Sequence, residues 1–444
     1  MSETHLDRSL GLKEATAIVI GTIIGTGIFL KSGIMAQTVG SPLIVLLAWL
    51  LGGMLSLAGA LTYAELGCLF PRSGGEFVYL QEAYGRVPAF LYGWMRFVIG
   101  APGSIAAYGV GAATFLSALF IGWTLTTRTF VAMGFVLFFT LINCLNVAMG
   151  GRVQVILTAL KVLVIVVLIF GAFFLSHGTV HNLMTPAGYI WQGWSAFGAA
   201  VLAALWAFDG WNNLPMASGE VKDAQRNVPR ALIIGIFTVL LVYGLLNIGY
   251  FFALPFSEVL TTSSPAHVSA LPIATKAASV FMGSNGLIFL SIALTISALG
   301  AMHGSILVNA RVPFAMAQEK IFFKALAYIH PKTASPIVAI LVQGFIACLL
   351  AASGSYDQLT DYVVFWSWVF YALCGFSVFI FRKKMPNVPR AYKVPGYPVV
   401  PIIFLLVAVW LLLSALISSP REAAVGFVII LAGLPFYFLF RKKA

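Results

Sequence analysis

The chain reads as an all-α polytopic membrane protein of twelve transmembrane helices, two inverted five-helix repeats followed by two further helices, with helices one and six broken. Three observations carry that reading. The 444 residues are 60% hydrophobic and only 9% charged, with a mean hydropathy of +0.97, whereas a soluble domain carries about 25% charged residues. The apolar residues fall in runs long enough to cross a bilayer, which needs about 20 of them in a helix. Two of those runs are interrupted, by Gly25-Thr26-Gly27 and by Phe208-Asp209-Gly210-Trp211. Paired broken helices in corresponding halves point to the central binding site of a transporter.

The expected spans are Ala15 to Val39, Pro42 to Ala64, Val87 to Phe120, Phe130 to Val147, Val153 to Leu175, Ser195 to Met216, Ala231 to Leu254, Leu287 to Leu307, Ile337 to Ala351, Tyr362 to Phe381, Val399 to Ile417 and Ala423 to Phe440. The third is long and must tilt or kink near Pro102-Gly103. Gly75 to Gly85 is predicted as an amphipathic helix at the inner surface and Ala266 to Gly283 as another outside. Breaks in spans one and six imply repeats over residues 13–175 and 195–382, then two extra helices over 397–441, in one transporter domain. An odd number of spans per half makes the second half inverted.

The formal charge of +12 suggests nucleic acid until its distribution is considered. Placing both ends of the chain on one side gathers most Lys and Arg there. Only Lys31, Arg128, Lys276 and Arg421 lie opposite, and Arg96 and Lys161 lie within spans. The positive-inside rule accounts for that excess, puts both ends in the cytoplasm and leaves no nucleic-acid partner to invoke. The first residues, MSETHLDRSLGLKEA, show no cleavable signal pattern. Cys68, Cys144, Cys348 and Cys374 sit in or beside apolar runs and imply no disulfide framework.

A broken helix frees amide N–H groups at one new end and carbonyls at the other. The N–H end suits a carboxylate and the carbonyl end an ammonium or metal cation. Thr26, Gly27 and Ile28 are predicted to present N–H groups; Gly21, Ile23, Trp206, Ala207 and Phe208 are predicted to present carbonyls. Such a pair fits a zwitterion, a free α-amino acid, and the lack of a second charged cluster argues for a neutral side chain. Gly25-Thr26-Gly27 taken alone equally suits close helix packing; the second break decides. Asp209 either contributes to the site or stabilises unwound backbone.

Lys161 lies mid-span in ILTALKVLVIVV and needs carbonyls or a carboxylate around it. It reads as a clip between helices, a fixed positive charge where another transporter would hold a sodium ion, or both. Arg96 is expected to snorkel or to pair with Glu65. His303 reads as a hydrogen-bonded core residue, Trp191 and Trp194 as interface anchors. Glu220 is either a solvated charge or half of an inner gate pair, and the Tyr243 hydroxyl must have a partner. No Walker loop, HExxH, GxSxG or zinc-spaced Cys pair occurs, so neither an enzyme nor a cofactor is expected.

Five stretches together resemble the amino acid–polyamine–organocation superfamily, and within it the L-type amino acid transporters and their bacterial serine/threonine exchanger relatives. They are VIGTIIGTGIFLKSG (Val19 to Gly33), FPRSGGEFVYLQEAYG (Phe70 to Gly85), WAFDGWNNLPMASGEVKDAQRNVPRAL (Trp206 to Leu232), RVPFAMAQEK (Arg311 to Lys320) and RAYKVPGYPVVPII (Arg390 to Ile403). The resemblance implies the LeuT-like inverted-repeat fold and sodium-independent exchange of neutral L-amino acids such as Ala, Ser or Thr across the plasma membrane. It implies that Gly25, Thr26 and Gly27 receive the substrate carboxylate, that Phe208 gates the substrate, that Lys161 substitutes for a sodium ion between spans one, five and eight, and that Tyr243 is linked to inward release. Animal members carry a Cys between spans three and four for a disulfide to a heavy subunit; the loop Ile121 to Thr129 has none, so no disulfide-linked heavy chain is expected and a bacterial member is implied. The rival readings are a proton-coupled symporter of the same fold acting through Lys161, and a non-transporting amino-acid sensor or channel.

Overall fold

The computed structural model describes residues 6–120, 122–184, 186–262, 270–353, 356–418 and 420–441. Among them every regular element is helical, with one isolated bridge between Leu10 and Val221. The first break is present: α1 (Leu12–Ile23) and α2 (Gly27–Val39) are separate helices, joined through Ile24 in extended conformation. The long elements that follow are α3 (Pro42–Leu69), α5 (Arg86–Ser117), α6 (Leu125–Leu145), α7 (Val147–Leu175), α9 (Ala224–Ala253) and α11 (Asn285–Gln318), with α4 (Glu76–Tyr84) and α10 (Ile273–Met282) between them. Counting α1–α2 as one, seven helices among the described residues are long and apolar enough to cross a membrane. The second break is also present. Helix α8 (Gly193–Ala207) stops at Phe208, and the chain resumes as a 3₁₀ helix, Trp211–Glu220. The remaining helices are α12 (Ile337–Ser353), α13 (Tyr356–Lys384), α14 (Val399–Ser418), α15 (Pro420–Leu431) and α16 (Gly433–Arg441).

Burial identifies the centre. In the most apolar window of α1–α2, 83% of residues are buried, against 28% in α6 and 33% in α7. The broken helix is therefore the axis, and α6 and α7 turn rows such as Leu137, Phe138, Leu141, Ile156 and Leu163 outward, as lipid-facing helices do. Helix α1 packs against α7, α9, α11 and the 3₁₀ helix, and α2 against α8. The stripe of α7 that meets α1 is polar: Gln154, Thr158 and Lys161, spaced to share one face, are all buried there.

The irregularity expected near Pro102-Gly103 in the third span is present as a π-helical turn at Arg96–Gly100, just before Pro102. The missing proline N–H and the clash of its ring with the carbonyl four residues back displace the defect into the preceding turn. Helix α4 is covered on more than one face: Glu76, Phe77, Val78, Tyr79 and Leu80 are all buried while Glu82 stays exposed, and α4 packs against α5 and α13. The outer amphipathic helix begins at Ile273, and residues 266–269 of its expected range are outside the described residues, as are Lys442 and Lys443 of the inner charge excess. The twelfth run is interrupted between α15 and α16, because Pro435 cannot serve the carbonyl of Leu431.

Arg96 neither snorkels nor meets Glu65. It is buried and donates to the Asn309 carboxamide oxygen. Glu65 is held instead by Arg382, at 2.7 and 3.0 Å, and by the Val394 N–H at 2.8 Å.

Candidate functional site

The two breaks meet. A Cβ on Gly27 would lie 2.7 Å from the Ala207 Cβ and 3.0 Å from its Cα, so the start of α2 and the end of α8 approach more closely than any side chain at Gly27 permits. Gly210, at φ +113°, would place a Cβ 2.7 Å from the Thr22 carbonyl oxygen, and the Thr22 hydroxyl donates to the Gly210 carbonyl at 3.0 Å. Gly25 is different: its added Cβ would meet nothing closer than Tyr108, at 3.6 Å. Of the Gly-Thr-Gly triplet, only the second glycine is demanded by packing. Thr26 stands at the N-cap position of α2 and is buried. The amides of the first turn of α2, Gly27 and Ile28 among them, have no acceptor within that helix.

Three of the carbonyls expected at the breaks, Gly21 O, Ile23 O and Ala207 O, accept from side chains of other helices. The Lys161 ammonium donates to Gly21 O and Ile24 O, both at 2.7 Å. The Ser297 hydroxyl from α11 reaches Ile24 O at 3.3 Å and Gly25 O at 3.0 Å, and Gly300 makes room for the Lys161 stem. Lys161 is thus clamped between α1, α7 and α11, fully desolvated and paired with carbonyl dipoles rather than a carboxylate. The Tyr243 hydroxyl sits 3.3 Å from both Ile23 O and Ala207 O, one proton shared between the two breaks. Its ring packs 5.0 Å from Phe208 and 5.5 Å from Trp49, with Trp49 to Phe208 at 5.9 Å. Phe208 is wholly buried in this aromatic group. Trp206 O accepts the Asp209 N–H at 3.2 Å, closing the turn.

Every predicted site residue therefore lies at or beside the junction of the two breaks. Ser297, Thr22 and Trp49 were not singled out from the sequence. Ser297 is one of several small polar residues in α11, and nothing in its spacing sets it apart. His303 accepts from the Asn143 side chain on one ring nitrogen and donates to Gly150 O on the other, both at 2.9 Å, as a core histidine does. Trp191 and Trp194 are exposed, whereas Trp211 is buried 4.9 Å from Tyr63.

Two devices tie down the far end of the 3₁₀ helix. The Glu220 carboxylate takes both Nε and Nη2 of Arg311, at 2.7 and 2.9 Å, and both side chains are wholly buried. Beside it Leu10 N donates to Glu220 O at 3.0 Å and Lys222 N to Leu10 O at 2.8 Å, strapping the N-terminal segment across the end of the 3₁₀ helix. Of the two readings of Glu220, the pair is the one realised. Removing one partner of such a pair strands the other charge, at about 3–5 kcal/mol. Glu220→Gln is accordingly expected to lower thermal stability sharply in detergent, and Glu220→Gln with Arg311→Met to recover part of the loss. A single variant as stable as the parent would refute this.

An amino acid permease family model matches residues 10–440. The chain is 35% identical to the serine/threonine exchanger SteT of Bacillus subtilis (strain 168), over 99% of this chain and 98% of that protein. It is 34% identical to the b(0,+)-type amino acid transporter 1 of Mus musculus, over 99% and 89%. It is 29% identical to the cystine/glutamate transporter of Homo sapiens, over 99% and 86%.

Proposed function

The chain belongs to the amino acid permease family, and from that premise we propose that it is a sodium-independent antiporter exchanging neutral L-amino acids across the plasma membrane. In this reading twelve spans form two inverted repeats, residues 13–175 and 195–382, plus two helices within 397–441, with both ends of the chain cytoplasmic and no disulfide-linked heavy chain. Elements of the repeats rock around the fixed site at the two breaks.

The observation that supports the reading most is the Tyr243 hydroxyl straddling Ile23 O and Ala207 O. A single donor at that point satisfies one acceptor from each break. A substrate ammonium, with three donors, replaces it more completely, while the substrate carboxylate takes the first-turn amides of Thr26, Gly27 and Ile28. The Trp206 and Phe208 carbonyls complete the polar wall, Asp209 braces the turn, and the Phe208 ring closes over the substrate. Lys161 supplies on Gly21 O and Ile24 O the charge that a sodium ion would otherwise bring.

The test is uptake of labelled amino acids into vesicles holding the purified chain, with and without unlabelled amino acid inside. Uptake should rise when the far side is loaded and should be the same in sodium and in choline. Equal uptake into empty vesicles, or a strict need for sodium, would overturn the proposal. Tyr243→Phe keeps the ring and removes the hydroxyl. It is expected to slow exchange about tenfold, from the loss of one hydrogen bond of about 1.4 kcal/mol, at normal protein yield.

A further inference from the structure

Beside the second break lies a polar group of which the exchange reading uses only Asp209. Glu76 of α4 is wholly buried. Its carboxylate accepts from the Tyr92 hydroxyl at 2.9 Å and from the Asn212 side-chain amide at 2.6 Å. Arg96 of α5 is the cation that interacts electrostatically with both Glu76 and Asp209. The other titratable groups turned towards these three are Tyr63, Tyr79, Tyr92, Tyr371 and Cys374, all neutral when protonated. The local count is two carboxylates and one guanidinium. Elsewhere in the buried interior the carboxylates are matched: Glu220 by Arg311, Glu65 by Arg382 and Arg390. A net negative charge sealed among helices is too costly to persist uncompensated.

Five atoms of the group are sealed from solvent without a partner: Arg96 Nε, the Tyr63 and Tyr79 hydroxyls, Asp209 Oδ1 and Asn212 Oδ1. Arg96 and Asn212 are each more than nine-tenths buried. A proton on either carboxylate removes the excess charge and gives that carboxyl an O–H to donate.

We propose that Glu76 and Asp209 share one bound proton, taken from solvent, and that this site makes exchange pH-dependent. The proton belongs to the pair rather than to either residue. Glu76 bonds Asn212, two residues beyond Gly210, and Asp209 is next to Phe208, so losing the proton leaves uncompensated charge against the inner half of the second break. The arrangement that seats the 3₁₀ helix on Glu76 is then disfavoured, and exchange falls as pH rises.

The test has two arms, the first independent of any transport activity. Infrared difference spectroscopy on the purified full chain in bilayer discs should show a protonated-carboxyl C=O band at neutral pH. It should be lost as one carboxylate per chain when the wild type is titrated upward. Glu76→Gln and Asp209→Asn should each abolish it at neutral pH, because either change leaves one carboxylate against one guanidinium. A wild type without the band, or a band that survives Glu76→Gln, overturns the proposal, and the wild-type titration stands even if a variant fails to fold. The second arm rests on the exchange reading. Exchange should fall by up to about tenfold per pH unit on the alkaline limb, and Glu76→Gln should flatten that limb. A wild-type slope retained in Glu76→Gln overturns the coupling. Absence of exchange at every pH would count against the antiporter, while the infrared result would still decide the proton.

Discussion

Lys161→Ala is expected to cut exchange about 100-fold while the protein still reaches the membrane. The ammonium makes two 2.7 Å bonds, to Gly21 O and Ile24 O. Hydrogen bonds to a charged group are worth about 1.5–3 kcal/mol each, and each 1.4 kcal/mol is a factor of ten. The loss concentrates where α1 opens, because Ile24 is the residue that leaves the helix and Ser297 alone would then hold its carbonyl. Lys161→Met, similar in length and apolar, should lose nearly as much, which separates missing charge from missing volume. Labelled amino acid counterflow into preloaded vesicles measures both variants. Lys161→Ala at even a third of the parent rate would remove Lys161 from the working parts of the site.

Gly210→Ala is expected to abolish exchange and to lower thermal stability. Its φ of +113° already strains any residue with a Cβ, at about 1–3 kcal/mol. The new methyl would also stand 2.7 Å from the Thr22 carbonyl oxygen, which is backbone and cannot swing away. Relief requires α1 and the 3₁₀ helix to separate, breaking the Thr22 to Gly210 bond that joins the two breaks. Gly25→Ala is the control. Its Cβ would make only ordinary contacts, with the Tyr108 ring at 3.6 Å and the Ile23 carbonyl oxygen at 3.9 Å, so its yield and melting temperature should stay near those of the parent. If both variants melt alike, close approach at Gly210 is not what fixes the junction.

The broken helices were legible in the sequence because glycine and an intramembrane carboxylate are costly in a lipid-facing helix and stand out in apolar runs. Lys161 was legible for the same reason, and its partners were bounded by chemistry before they were seen, since an ammonium in that setting requires carbonyls or a carboxylate. Arg96 shows the limit. Its depth was readable, but its partner was not, because the choice among Glu65, Asn309 and the Glu76–Asp209 pair depends on how α3, α5, α11 and the 3₁₀ helix pack. The depth to which α4 is covered was unread for a related reason. Its pattern of Phe77, Leu80 and Tyr84 describes one apolar face, and periodicity cannot tell that a second face, with Glu76 and Tyr79, is also covered.

The sequence by itself determined that the chain is a helical membrane protein of the amino acid permease family, where two of its helices open, and which side chains are too polar to face lipid. These are properties of runs and single residues, set by the cost of bare amides and charges in hydrocarbon. Only the tertiary structure decided that Gly27 rather than Gly25 must lack a side chain, that Tyr243 spans both openings, that Ser297 shares the carbonyls with Lys161, and that two carboxylates meet one guanidinium. Those depend on distances between segments far apart in the chain, and a linear pattern holds no record of which buried donor reaches which buried acceptor.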